Sequence, residues 1–317
     1  MTLFLKDEDV AQCVTMDAML EAIETMQHQY GDGQAHNMTR RKIIAESGML
    51  SVMGGGLFLQ GLFGVKTYTV VKGAYSFQVS LYDANTGELL LYTQANRLGQ
   101  LRTGATTGVA VKHLSNPGAA TVGIIGTGGQ APTQLEAVSK VRDIKEIKAF
   151  SRTQERREEF AHRMTDSMGI EVSAAATNED AVRDCDIVLC VASTMEPVVE
   201  GAWLKDGATL IGAGPTTWRA REVDEATFKR AGKIIVDSTE QAAIEAGDLC
   251  SAVDKGIIQW SKVHELRHVV SGAVSGRDSE GQVVYAKIMG TGVADVAAAK
   301  LAYDSAKAQG LGTEMDW

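Results

Sequence analysis

Apolar positions recur three and four residues apart over 7–31, from Val10 through Met16, Met19, Leu20, Ile23 and Met26, and the pattern stops at Gly31-Asp32-Gly33. Residues so spaced share one face, so a single amphipathic helix is expected there. From residue 40 the period changes to short strand-type runs at 42–46, 48–53, 61–72, 77–83 and 88–94, with Asn85-Thr86-Gly87 a hairpin turn. Consecutive strands with no helix between them predict a mostly antiparallel sheet. A long helix follows over 97–114, closed by Ser115-Asn116-Pro117-Gly118, where a domain boundary is expected.

Beyond Gly118 strands and helices alternate: strand 121–125, helix 130–141, strand 145–150, helix 154–167, then strands near 171–176, 186–192, 208–213 and 233–237. The blocks at 186–193 and 233–237 are near-continuously apolar, as strands covered on both faces are. This alternation predicts a parallel sheet with helices on both sides. An alanine-rich helix is expected over 294–308, and 269–272 reads as the start of a strand.

Within the alternating region, Gly126-Thr127-Gly128-Gly129-Gln130-Ala131 breaks the first strand into a turn before a helix. Gly126, Gly128 and Ala131 match the G-x-G-x-x-G/A fingerprint, whose small residues permit the turn, let backbone approach a pyrophosphate and pack helix on strand. The second strand ends at Phe150, so Ser151 and Arg152 stand where NAD sites usually place an acid for the ribose. Arg152 suits a 2′-phosphate or an adenine face, or else it is a solvated loop residue. Ser193-Thr194 and Gly212-Ala213-Gly214-Pro215 follow later strands at the carboxyl edge where ligands of open α/β sheets gather. One motif competes: His264-Glu265-Leu266-Arg267-His268 matches H-E-x-x-H, but a zinc site needs both imidazoles on one helix face, and the residues after it read as a strand, so no metal is expected.

The net charge of -9 and pI near 5.3 exclude nucleic acid and anionic membranes as general partners. Any anionic ligand must be met by local cations. Cys13, Cys185, Cys190 and Cys250 show no C-x-x-C spacing, and the amino end has no basic region leading into an apolar stretch, so a reducing cytoplasm is expected. No apolar run approaches the roughly 18 residues of a membrane span. Three cation sites sit in apolar or glycine-bounded settings: Arg40-Arg41 opening a strand, Lys66 within 63–68, and Arg102 within 98–105. Singly each reads as a solvated or snorkelling side chain. Beside a nucleotide domain they suggest a carboxylate clamp, because arginine forks bind carboxylates with directional, charge-assisted bonds.

Several segments in combination resemble the ornithine cyclodeaminase and mu-crystallin family along nearly the whole chain: Val65-Lys66, Leu81-Tyr82-Asp83, 101–110 around Arg102-Thr103, the 126–131 turn, 197–207 around Trp203, Glu245-Ala246-Gly247-Asp248-Leu249, and 290–295 ending in Asp295. The resemblance implies an α/β protein with a Rossmann-type dinucleotide-binding domain over 116–290. It implies a second, α+β substrate-binding and dimerisation domain formed by 1–115 and 291–317, the C-terminal helix included. It further implies an NAD(P)-dependent homodimer acting at the carbon–nitrogen bond of amino and imino acids. By the same resemblance, Arg41, Lys66 and Arg102 hold the substrate carboxylate, Lys66 is a candidate proton donor, and Thr103, Gly128, Gln130, Ser193 and Val293 line the cofactor, joined by Gly126 and Gly129 of the turn.

Two positions depart from the cyclodeaminases of that family. Where they carry an aspartate after the strand at 208–213 this chain has Gly214, and where they carry a glutamate it has Ser51. Losing both acids leaves a distal ammonium without a partner, while Thr216-Thr217-Trp218-Arg219-Ala220-Arg221 adds hydroxyls and cations, so Arg219 is expected to meet a second carboxylate. The expected activity is an imino acid reductase yielding an L-amino acid, with iminosuccinate to L-aspartate first and NAD placed before NADP. The alternatives are an ammonia-releasing ornithine cyclodeaminase, a ketimine or pyrroline-carboxylate reductase, an alanine dehydrogenase, and a non-catalytic NADP-dependent binding protein of mu-crystallin type.

Overall fold

In the computed structural model, which describes residues 1–316, the amino-terminal periodicity resolves into a strand and two helices: β1 (Thr2–Leu5), α1 (Asp7–Cys13) and α2 (Met16–Gly31). The single helix expected over 7–31 is broken at Val14-Thr15. Thr15 is extended (φ -93°, ψ 158°) and its side chain accepts from the Ala18 amide, so it caps a new helix instead of continuing the old one. Five strands follow: β2 (Ala35–Ala45), β3 (Gly48–Leu57), β4 (Leu62–Val71), β5 (Ala74–Asp83) and β6 (Leu89–Gln94), and then α3 (Asn96–Leu114).

The chain divides into two units, Met1–Thr106 with the segment beginning at Gly290, and Thr107–Met289. The second unit carries β7 (Thr121–Ile125), α4 (Ala131–Val141), β8 (Glu146–Phe150), α5 (Gln154–Met168), β9 (Glu171–Ala174), α6 (Asn178–Val182), β10 (Ile187–Cys190) and β11 (Thr209–Gly212). It continues with α7 (Glu225–Arg230), β12 (Ala231–Val236), α8 (Thr239–Glu245), α9 (Gly247–Asp254), β13 (Val263–Glu265), α10 (Leu266–Val270) and β14 (Val283–Lys287). The chain then returns to the first unit with α11 (Gly292–Gln309) and β15 (Thr313–Met315).

The first unit's sheet runs β15-β1-β6-β5-β4-β3-β2, antiparallel except where β1 pairs with β6. Helix α11 packs on β3 and β4, with α2 against it, covering one face of the sheet. Side chains alternate across a strand, so the register sorts them. Met53 pairs with Lys66, which pairs with Val79, and all three are buried. Met38, Ile43, Phe63 and Tyr92 lie on the opposite face and are exposed.

The second unit's sheet is entirely parallel, in the order β13-β12-β14-β11-β10-β7-β8-β9. Strand order reverses at β7: β8 and β9 run to one side, β10 and β11 to the other. That is the switch point of a doubly wound sheet. β10 and β11 are buried at every residue, each fully buried aliphatic side chain contributing about 1.5–3 kcal/mol. Two expectations are corrected here. Residues 269–272 do not begin a strand, since Val269 and Val270 close α10, and β14, not anticipated, is inserted between β11 and β12. Among the described residues no helix is long and apolar enough to cross a membrane.

Candidate active site

A lysine on a covered strand face must find a counter-charge, because an isolated buried ammonium costs several kcal/mol. Lys66 of β4, 4% exposed, finds Asp295 in the first turn of α11, Nζ donating to Oδ1 over 3.0 Å. Arg102 of α3, 6% exposed, donates from Nε to the same oxygen over 2.8 Å. Its guanidinium lies against Gly290, where a Cβ would come within 2.3 Å of Nη1. Arg40 completes the group: it is buried, donates from Nη2 to the Gly290 carbonyl over 3.2 Å, and adds repulsion at Lys66. Burial, reinforced by the Arg102 charge, brings the Lys66 ammonium down to about 8. Burial raises Asp295, but Arg102 and Lys66 outweigh it and hold the carboxyl below its usual range. Asp295 Oδ2 has no hydrogen-bond partner among the described residues.

Arg41, the residue the family resemblance singled out, is exposed and does not join this group. It pairs with Val52, which pairs with Thr67, whereas Lys66 is one residue on; Arg41 and Lys66 therefore face opposite sides of the sheet. The register slips between Met38 and Arg41, and this bulge turns Arg40 inward. Ser51 pairs with Tyr68, two residues beyond Lys66 and on its face. The Tyr68 and Phe77 rings are 5.2 Å apart, and Lys66 Nζ lies 5.4 Å from the Phe77 centroid. That side of the group offers a hydroxyl and aromatic surface.

In the second unit the glycine turn has the shape a dinucleotide needs. Gly126 sits at φ +104°, and a Cβ there would press on Val191 and Ala192 at 2.9 Å. Nothing lies within 4 Å of a Cβ at Gly128, Gly129 is exposed, and the Gln130 side-chain oxygen is buried without a partner. Helix α4 starts at Ala131 and presents its amino end to the turn. Ser151 and Arg152 close β8; Arg152 is exposed, while Arg157, not foreseen, stacks on Phe150 and donates to the Ser151 carbonyl. Ser193 is exposed after β10.

The other expected residues are placed differently. Thr103 donates to Gly99 O within α3 over 2.6 Å. Val293 is fully buried against Gly55, its amide directed at Asn37 Oδ1, so it packs α11 on the sheet. Arg219 is exposed and stacked on Trp218, 5.2 Å from the ring, and forms no ion pair among the described residues. His264 and Glu265 lie in β13 and His268 in α10, so the H-E-x-x-H residues do not share a helix face. A Cβ on Gly214 would lie 2.4 Å from both Ala192 O and Glu222 Oε1, which leaves no room for an acid there.

The sequence reading met Asp295 only as a motif residue without a role, and it did not assemble a second buried group. In the latter, Lys287 Nζ bridges Glu222 Oε2 and, at 3.1 Å, Asp248 Oδ2. Burial raises Glu222 despite Lys287, whereas the two carboxylates outweigh burial at Lys287 and raise it. The available signals were Asp248 within the 245–249 motif and a lysine ending the apolar run 283–287.

A doubly wound parallel sheet with an open glycine turn at its switch point, joined in one chain to a unit with a buried cationic group, defines a Rossmann-type two-unit protein. The chain belongs to the ornithine cyclodeaminase/mu-crystallin family, whose model matches residues 1–310. It is 33% identical over 262 residues, 80% of each chain, to a Delta(1)-pyrroline-2-carboxylate reductase of Bacillus cereus. It is 31% identical to an alanine dehydrogenase of Archaeoglobus fulgidus over 99% of this chain and 98% of that one. Among solved structures, the Thermococcus litoralis Delta(1)-pyrroline-2-carboxylate reductase in complex with NADH and L-proline superposes with a TM-score of 0.95 at 29% identity, covering 99% of this chain and 100% of that one.

Proposed function

We propose that the protein is an NAD(P)H-dependent imino acid reductase, an oxidoreductase of the C–N bond that yields an L-amino acid. The observation that carries this is charge: two buried cations, Lys66 and Arg102, share one carboxylate, Asp295, with the buried Arg40 beside them on the Gly290 carbonyl. The surplus of positive charge fits an anion, and a substrate carboxylate supplies one with the geometry a guanidinium prefers. Arg102 and Arg40 hold that carboxylate, and Lys66 gives a proton to the substrate nitrogen. Reduced nicotinamide supplies the hydride. The carbon of the protonated imine would take it, the C=N double bond becoming a single bond, and water would then supply the proton that charges the amine and the one that restores Lys66.

The nucleotide belongs to the turn 126–130, with Ser151, Arg152 and Ser193 along the sheet edge, and NAD is placed before NADP. Gly214 and Ser51, standing where cyclodeaminases carry acids, oppose ornithine as substrate. Iminosuccinate is the first choice, its carboxylates answering the surplus of Lys66 and Arg102 over Asp295. A cyclic ketimine is the second reading, favoured by the uncharged surface of Ser51, Tyr68 and Phe77 and by the pyrroline-carboxylate reductases among the relatives. The exposed sheet face of Met38, Ile43, Phe63 and Tyr92 is proposed to bury itself in a homodimer, and the unpaired cysteines suit a cytoplasmic protein.

The test is a panel of oxaloacetate with ammonia, Delta(1)-pyrroline-2-carboxylate, and pyruvate with ammonia, each with NADH and NADPH, together with ornithine in the presence of NAD⁺. Oxidation of the nicotinamide by at least one imine is expected. Ammonia release from ornithine without net cofactor oxidation, or tight cofactor binding with no turnover, would overturn the proposal.

A further inference from the structure

The Glu222–Asp248–Lys287 group lies outside the residues given a role above, yet every part of it is built into the carboxyl edge of the second unit's sheet. Glu222 is fully buried, and its Oε1 accepts the Gly214 amide at 3.0 Å, just past the end of β11. Its Oε2 meets Lys287, the last residue of β14. Cys190, the last residue of β10, hydrogen-bonds the same carboxylate. Asp248 in turn fixes Glu222 from below, its Oδ1 accepting the backbone amides of Glu222 at 2.6 Å and Val223 at 3.2 Å. One side chain thus ties together the ends of three neighbouring strands.

Holding an ionised group in a dry interior is costly, and a well-packed apolar residue would serve the core at less expense. What the carboxylate adds is position. The turn after β11 is wedged between Glu222 and the turn after β10, as the contacts a Cβ on Gly214 would make with Glu222 Oε1 and Ala192 O show. Sheet order says which part of a dinucleotide meets these turns. If the pyrophosphate takes the turn after β7, the ribose and adenine lie towards β8, and the nicotinamide half lies towards β10 and β11.

We infer that Glu222 is a positioning residue for the nicotinamide half of the cofactor, its carboxylate setting the turn after β11 against the turn after β10. Asp248 and Lys287 hold Glu222 in place for this work. The inference rests on reading the second unit as the nucleotide holder.

Binding measurements separate the two, with AMP as probe of the adenosine half and NADH as probe of the whole. Wild type is expected to bind both. Glu222→Ala, which leaves the Gly214 amide unanswered, is expected to weaken NADH about tenfold, the effect of one lost buried hydrogen bond, with AMP unchanged. Glu222→Gln keeps an oxygen acceptor and is expected to restore most of the difference. Should Glu222→Ala not fold, Gly214→Ala displaces the same turn from the other side and is expected to show the same selective loss. Equal weakening of AMP and NADH, no weakening of either, or failure of Glu222→Gln to rescue would overturn the inference. A wild type that binds neither probe would overturn the nucleotide reading itself.

Discussion

Two lysines lie buried, one in each unit, and their surroundings push them in opposite directions. Lys66 shares one aspartate with Arg102 and feels the charge of Arg40 as well, and its ammonium is brought down to about 8. Lys287 has two carboxylates to itself and is raised above the ordinary lysine value. Burial lowers both; the sign is decided by the neighbours' charges. A group with surplus cations holds a proton loosely and attracts an anion, which suits chemistry on a carboxylate-bearing substrate. A lysine enclosed by acids has nothing to offer a ligand and serves as a brace.

The comparison can be broken most sharply at Lys66. Lys66→Met is expected to lower kcat by about 10³, within the range of lost general acid catalysis, while leaving stability to urea equal or higher because the penalty of a buried ammonium is removed. Unchanged kcat under saturating substrate ends its role as proton donor. The counterpart is Lys287→Met, which leaves Glu222 and Asp248 buried together and is expected to cost about 3–5 kcal/mol of stability in denaturant unfolding. A loss below about 1 kcal/mol would mean the carboxylates simply take up a proton and the brace is dispensable.

Next in size, Arg102→Ala is expected to raise KM for the imino acid by about 10–100-fold with a smaller change in kcat, the effect of removing a charge-assisted bond, as steady-state kinetics would record. The smallest effect is the dependence on pH. Lys66 acts protonated, so kcat/KM is expected to fall as pH rises through about 8. Its folded value lies below the ordinary 10.5, so between about 8 and 10.5 the unfolded chain binds more protons and this residue's contribution to stability rises with pH. Lys66→Met is expected to remove that rise, and a pH series of denaturant midpoints checks it.

The legible parts of the molecule were those written in neighbouring residues. The 126–131 turn announces itself by its glycines, and it lies at the switch point of the sheet. Lys66 and Arg102 stood out because each interrupts an apolar setting, and they meet on one aspartate. Arg40 and Arg41 could not be told apart, because one slipped residue in β2 exchanges their faces and no local signal marks the slip. Asp295 was visible only as the end of a motif, 229 residues from the lysine it holds. Glu222 and Lys287 are 65 residues apart and were not connected at all.

By itself the sequence determined the two kinds of sheet, since alternation and helix insertion are local consequences of period and turn chemistry. It also determined where backbone could come close to a phosphate and which positions lack the acids of a cyclodeaminase. Only the tertiary structure decided which arginine shares Asp295 with Lys66, which carboxylates each buried lysine meets, and hence the sign of each lysine's shift. A charge's behaviour in a dry interior depends on the few groups within several ångströms, and those groups are brought together by strand register and helix packing over separations that no short pattern records.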